Sequence, residues 1–257
     1  MTATLVSGGV RNLHVDVVRV SFGRPLSWLI RGWQDMRRNW GASLGYGALI
    51  VALGWTVLMF CGTHPYYVAA AISGFLLVAP VMSAGFTEMS RRYSSGQRAT
   101  FDDSLDGFAR NYSALFWFGA ILALCALVWF AVSAVMLGTV FHIAAPSMQE
   151  TLYRGFIDSM NRSQVTAYFA VGGILAAMIF VLSVVTVPLI IDQGATAGQA
   201  LRASVRAVFS NITAMIMWSA LILLLTIIGY APLLCGLLIV SPLLGHATWH
   251  AYRDMIR

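Results

Sequence analysis

Six long apolar runs restrict this chain to one kind of surroundings. They cover Trp40 to Phe60, Tyr67 to Met89, Ser113 to Phe141, Ala167 to Ile191, Ile212 to Tyr230 and Pro232 to Thr248. A helix needs about 20 apolar residues to cross the hydrocarbon core of a bilayer. The last run is the shortest and is interrupted by Pro242, so five helices and a re-entrant end form the alternative. The runs leave only 10% of the residues charged, against roughly 25% in a soluble domain. Apolar surface left in water costs about 25 cal/mol per Å², so lipid has to cover it. The expected fold is all-α: a polytopic membrane protein of about six transmembrane helices.

Orientation follows from arginine. All sixteen basic residues are Arg. Fourteen lie before the first run, between the second and third, between the fourth and fifth, or in the tail. Only Arg154 and Arg162 lie on the other side. Loops rich in positive charge stay in the cytoplasm, which places both termini inside and the protein in a bacterial inner (plasma) membrane. No signal peptide is expected, because the first apolar run stands behind an Arg-rich stretch. Residues 1–24 are read as a cytoplasmic segment and 25–257 as one membrane domain.

The domain repeats itself. Leu29, Trp33, Met36, Asn39 and Ala42 precede the first helix. Phe101, Leu105, Phe108, Asn111 and Ala114 precede the third, and Leu201, Val205, Val208, Asn211 and Ala214 the fifth, with the same spacing. Apolar positions at i, i+4 and i+7 share one helical face, so each segment is expected as an amphipathic helix lying in the cytoplasmic interface. Pro80, Pro188 and Pro242 fall in the cytoplasmic half of helices two, four and six. Proline removes a backbone hydrogen bond and kinks a helix, so kinks are expected there. The repeat units cover about 25–92, 98–194 and 197–257, running in parallel.

Polar groups at membrane depth are functional candidates. Glu88, Asp192, His246 and His250 follow the three prolines at similar distances. If they converge, they form a cluster able to bind a metal, relay protons or ligate haem. The plainer expectation is that polar residues mark helices leaving the bilayer. Trp28, Trp33, Trp40, Tyr46, Trp117 and Tyr168 are expected in an aromatic belt. Met148, Leu152, Phe156 and Met160 suggest a short helix in the external segment.

No GxSxG elbow, Walker loop or HExxH motif is present. No catalytic residue, metal or cofactor is expected. Nucleic acid is excluded as a partner, since topology and anionic lipid at the cytoplasmic face account for the basic charge. The leading expectation is a non-catalytic protein acting through protein and lipid contacts. The alternative is a small-solute or ion transporter or channel with a path between the proline-kinked helices. A haem- or metal-binding redox protein using His246 and His250 ranks third.

The segment Arg24 to Met36 carries Pro25, then Trp28-Leu29, then Gly32-Trp33 and Asp35. With the apolar runs behind it, this resembles a bacterial family of integral membrane proteins known as domain of unknown function 2189. Some members are labelled as a cytochrome c oxidase subunit. The resemblance therefore implies at most an accessory or assembly subunit of a respiratory membrane complex.

Overall fold

The computed structural model describes residues 15–61, 82–136 and 162–257, and the expectations for Pro80, for the turn after Cys61 and for the external segment lie outside them. Helix is the only regular structure of any length among the described residues, as the all-α class requires. The elements are α1 (Arg24–Arg38), α2 (Trp40–Cys61), α3 (82–94), α4 (Phe101–Val135), α5 (Arg162–Ser183), α6 (Thr186–Gln193), α7 (Ala197–Ser210), α8 (Ile212–Tyr230) and α9 (Leu237–Met255). Three stretches among the described residues are long and apolar enough to cross a membrane: Phe101–Val135, Arg162–Gln193 and Ile212–Tyr230.

Three asparagines mark the turns from amphipathic to apolar helix. Asn39 (φ −144°, ψ 77°) separates α1 from α2, and Asn211 (φ −130°, ψ 33°) separates α7 from α8. Asn111 (φ −122°, ψ 20°) is the one non-helical residue inside α4. Each side chain hydrogen-bonds a backbone group beside the break, and Asn39 and Asn211 also reach backbone of a distant segment. Asn39 donates to the Ala99 carbonyl at 2.6 Å and accepts from the Ala42 N–H. Asn111 donates to the Gly107 carbonyl. Asn211 donates to the carbonyls of Val18 and Ala207 and accepts from the Val20 N–H. Asparagine suits these positions because its short amide competes well with the helix for local backbone groups.

The prolines act in two ways. The run from Ala167 to Ile191 is broken, not merely bent: α5 ends at Ser183 and α6 starts at Thr186. Pro188 stands in the first turn of α6, where a missing N–H costs nothing because those donors have no intrahelical partner. Pro242 lies inside α9 and cannot donate to the carbonyl of Leu238, four residues back. Gly47 of α2 approaches that carbonyl so closely that a Cβ at residue 47 would clash with its oxygen.

The last run departs from expectation at both ends. Residues 231–236 form a turn with Leu233 and Leu234 at positive φ (49° and 69°). Helix α9 therefore begins at Leu237, five residues later than read from the sequence, and continues past Thr248 to Met255. Its far end carries Arg253 and Asp254 and is polar.

Helix α9 is the centre of the packing. Gly32 of α1 meets it at Ala247, where an added Cβ would lie 2.7 Å from the Ala247 nitrogen. Small residues facing each other let helix axes approach this closely. Trp28, Trp218, Trp249, Tyr252 and Met255 are fully buried around the crossing, and Trp28 meets Trp218 edge-on at 5.5 Å. Two of the expected belt aromatics are thus core residues, since both Trp28 and Tyr46 are buried. Trp33, Trp40 and Trp117 are exposed, as a belt needs.

The amphipathic face of α1 is also not the expected one. Met36 is buried against the core together with Pro25, Trp28, Gly32 and Asp35. The outward apolar stripe is Phe22, Leu26, Ile30 and Trp33.

Candidate functional site

The polar residues singled out from the sequence lie at one end of the helix bundle, but each has a partner of its own. His246 is fully buried between α2 and α3. Its Nε2 lies 3.1 Å from the Ser43 hydroxyl and its Nδ1 2.7 Å from the Ser90 hydroxyl. A neutral imidazole donates from one nitrogen and accepts at the other, and a hydroxyl satisfies either role. The ring therefore joins three helices without a charge.

His250, one turn further along α9, binds α1 instead. Its Nε2 is 2.8 Å from Oδ2 of Asp35, whose other oxygen accepts from Arg38 at 3.2 Å. Glu88 is fully buried and holds three guanidinium groups, from Arg91 (2.7 Å), Arg92 (3.0 Å) and Arg110 (3.0 Å). Arg92 continues to Asp103 and Asp106 at the start of α4. This network ties α3 to α4, and Gly107 leaves room for it: a Cβ there would be 3.0 Å from that of Glu88. Asp192 accepts from the Tyr252 hydroxyl at 2.7 Å, with Arg253 at 3.6 Å. Burial, and then the Asp192 carboxylate, push the Tyr252 hydroxyl well above its usual pKa.

The four candidates are therefore divided among separate pairings and do not share one cavity. Among the described residues no three His, Cys, Asp or Glu side chains are grouped so as to hold a metal. The oxygens and nitrogens that a substrate or metal would need are already occupied by hydroxyls and guanidinium groups.

One residue of this layer was missed from the sequence. Asp254 accepts from Nε of Arg24 at 2.7 Å, from Arg31, and from the indole N–H of Trp28 at 2.8 Å. Burial alone would raise its carboxyl, but the hydrogen bonds from Arg24, Arg31 and Trp28 outweigh it and hold the pKa at about 2. The residues of the Pro25–Asp35 motif now have reasons. Pro25 opens the first turn of α1. Trp28 fills the core and binds Asp254. Leu29 packs against the core, Gly32 permits the α9 crossing, and Asp35 binds His250. Trp33 stays on the surface and meets Trp40 edge-on at 5.6 Å. A tail aspartate following an apolar run gives no local signal of its role, because its partners lie more than 220 positions away.

Comparison with known proteins adds one family. The model of a family described as predicted integral membrane protein (DUF2189) matches residues 68–192, just under half of the chain. This is the family whose resemblance was read from Pro25 to Asp35, although the matched segment begins after that motif. No curated protein and no solved structure matches the chain. The protein is an integral membrane protein with several apolar helices.

Proposed function

We propose that this integral membrane protein is non-catalytic and acts through contacts with other membrane proteins and with lipid, as an accessory or assembly subunit of a respiratory membrane complex. In this reading it is a multi-pass protein of the bacterial inner membrane, with both termini cytoplasmic and three parallel repeats. The three asparagine junctions, with their similar backbone angles at Asn111 and Asn211, support the repeat. The respiratory assignment rests on the label carried by some family members.

The observation that carries the proposal is the use made of the buried polar groups. Glu88, Asp192, His246, His250 and Asp254 all join helices to one another. A catalytic or conducting site needs such groups turned toward a substrate or a water-filled path. Meanwhile the outer surfaces of α4 and α8 expose Leu124, Leu127, Leu223, Leu224 and Ile227, which lipid or a partner helix can cover.

The test is purification of the tagged full-length chain from its native membrane in mild detergent, with an absorption spectrum of the eluate. Co-purification of respiratory subunits in fixed stoichiometry is the expected result. A lone protein that moves ions or small solutes across liposomes overturns it.

One feature favours that second, transport reading. A cleft of about 240 Å³ lies between α2, α3, α8 and α9, with a largely apolar wall that Ser83, Thr226, Tyr230 and Ser241 interrupt. Liposome transport that is lost in Ser83→Leu, Thr226→Leu or Ser241→Leu, with the melting temperature unchanged, would establish it.

A further inference from the structure

The two ends of the described chain meet at one corner of the polar layer. Asp16 donates its N–H to the Arg257 carbonyl at 3.1 Å, Arg257 returns the bond at 3.0 Å, and Val18 donates to Met255 at 2.8 Å. This short antiparallel pairing fixes Val17 against Ile256. It also brings residues from both ends into one open recess of about 310 Å³, with Arg19, Ser21, Arg24, Arg253, Asp254 and Arg257 in its wall.

The charge in this recess is unbalanced. Four guanidinium groups surround one side-chain carboxylate, and Asp254 already serves Arg24, Arg31 and Trp28. Arg253 leans toward Asp192 and over the ring of Trp249. Arg19 and Arg257 have no ion-pair partner among the described residues. Like charges held together by backbone pairing repel, and a phosphate relieves the repulsion while accepting several guanidinium hydrogen bonds at once.

The neighbouring surface identifies the kind of phosphate. Phe22, between Ser21 and Arg24, is 60% exposed, and Leu26 and Ile30 follow it on α1 at 48% and 60%. A stripe of exposed apolar residues beside a basic recess is what a membrane interface accepts. A free anion makes no use of it.

We propose that this recess binds the headgroup phosphate of an anionic phospholipid. Arg19 and Arg257 hold the phosphate, Arg24 and Arg253 flank it, and the acyl chains run along Phe22, Leu26 and Ile30. The inference rests on the lipid-contact reading above and names the lipid chemistry and its site.

The test uses the full-length protein, delipidated in neutral detergent, with native mass spectrometry as phosphatidylglycerol or phosphatidylcholine is added. Two double variants remove the same charge: R19Q/R257Q in the recess and R202Q/R206Q on α7. The wild type is expected to retain one phosphatidylglycerol at least tenfold more tightly than phosphatidylcholine. R19Q/R257Q loses that preference, R202Q/R206Q keeps it, and R19K/R257K retains most of it. Equal losses in the two Gln variants would mean diffuse attraction and overturn the site. Displacement of the lipid by millimolar inorganic phosphate, with phosphate alone raising the melting temperature as much as the lipid does, would assign the recess to a free anion and also overturn it. Asp254 is untouched in these variants, so their lipid-free melting temperatures should match the wild type within about 2 °C; should R19Q/R257Q unfold, R19Q alone gives the same reading. Co-purification of membrane partners by R19Q/R257Q keeps the contact proposal standing whether or not the lipid site survives.

Discussion

Helices α1 and α7 both run into an asparagine that opens a long apolar helix, yet they are held down by different chemistry. Helix α7 has its own N-terminal stop. Thr196 accepts from the Gln199 N–H, and the Gln199 side chain accepts from the N–H and hydroxyl of Thr196. Its buried face is mostly small: Ala197, Ala200, Ala203, Ser204 and Ala207, with Val208 at the end. Helix α1 has no side-chain cap and buries Trp28, Asp35 and Met36 instead. Its anchor is distant, in the Asp254 carboxylate and the Gly32–Ala247 crossing. A locally coded helix can therefore stand beside one whose placement depends on residues at the opposite end of the chain.

The contrast breaks most sharply at Gly32. In Gly32→Val the new side chain meets backbone, which cannot turn aside, and the expected loss is about 3 kcal/mol or failure to fold. A thermal melt in detergent that moved by less than a few degrees would show that α1 and α9 have room to separate. The equivalent change on the α7 side, Ala203→Val, adds two methyl groups at a buried site that already holds a Cβ, so the expected loss is smaller, about 1–2 kcal/mol.

Next in size is Asp254→Asn, which takes the shared negative charge and one of the two acceptor oxygens from Arg24, Arg31 and Trp28 and should cost about 2 kcal/mol. The same contact makes a pH prediction. Because the folded pKa of Asp254 is held at about 2, the stabilisation is complete above the unfolded value near pH 4. It is lost as pH falls from about 4 toward 2. Melting temperatures measured across that window should fall more steeply in the wild type than in Asp254→Asn, and parallel curves would sink the assignment.

Asn211→Ala strips three backbone groups of their partner and should cost about 1–2 kcal/mol. Hydrogen exchange is expected to rise at Val20, whose N–H has no other acceptor once the amide is gone. Unchanged protection there would mean that the junction keeps its shape without the side chain.

The smallest effect is expected at Thr196→Ala. Losing the cap should cost about 1 kcal/mol, confined to the first turn of α7 and leaving protection of α1 as it was. Loosening of α1 in this variant would erase the distinction between the two helices.

The amphipathic segments, the asparagine junctions and the apolar stretches of α4, α5 and α8 were legible because each is a local pattern in which neighbours along the chain decide the outcome, whereas the buried face of α1 was not. The positions of the helix breaks were less so. Proline predicted disruption near residue 188, but whether the helix bends or restarts depends on what its neighbours offer the open backbone groups. The candidate site shows the limit most clearly. Similar spacing after three prolines suggested convergence of Glu88, Asp192, His246 and His250. Spacing along one helix carries no information about which neighbour each side chain faces.

By itself the sequence determined that this chain enters a membrane as helices, since that follows from transfer energies summed residue by residue. Tertiary structure alone decided that the tail helix becomes the centre of the bundle, that Trp28 is core while Trp33 is surface, and that Asp254 anchors α1. Those outcomes depend on pairings between residues up to 230 positions apart, where backbone approach at Gly32 and Gly47 and the burial of charge select one arrangement of helices over the others.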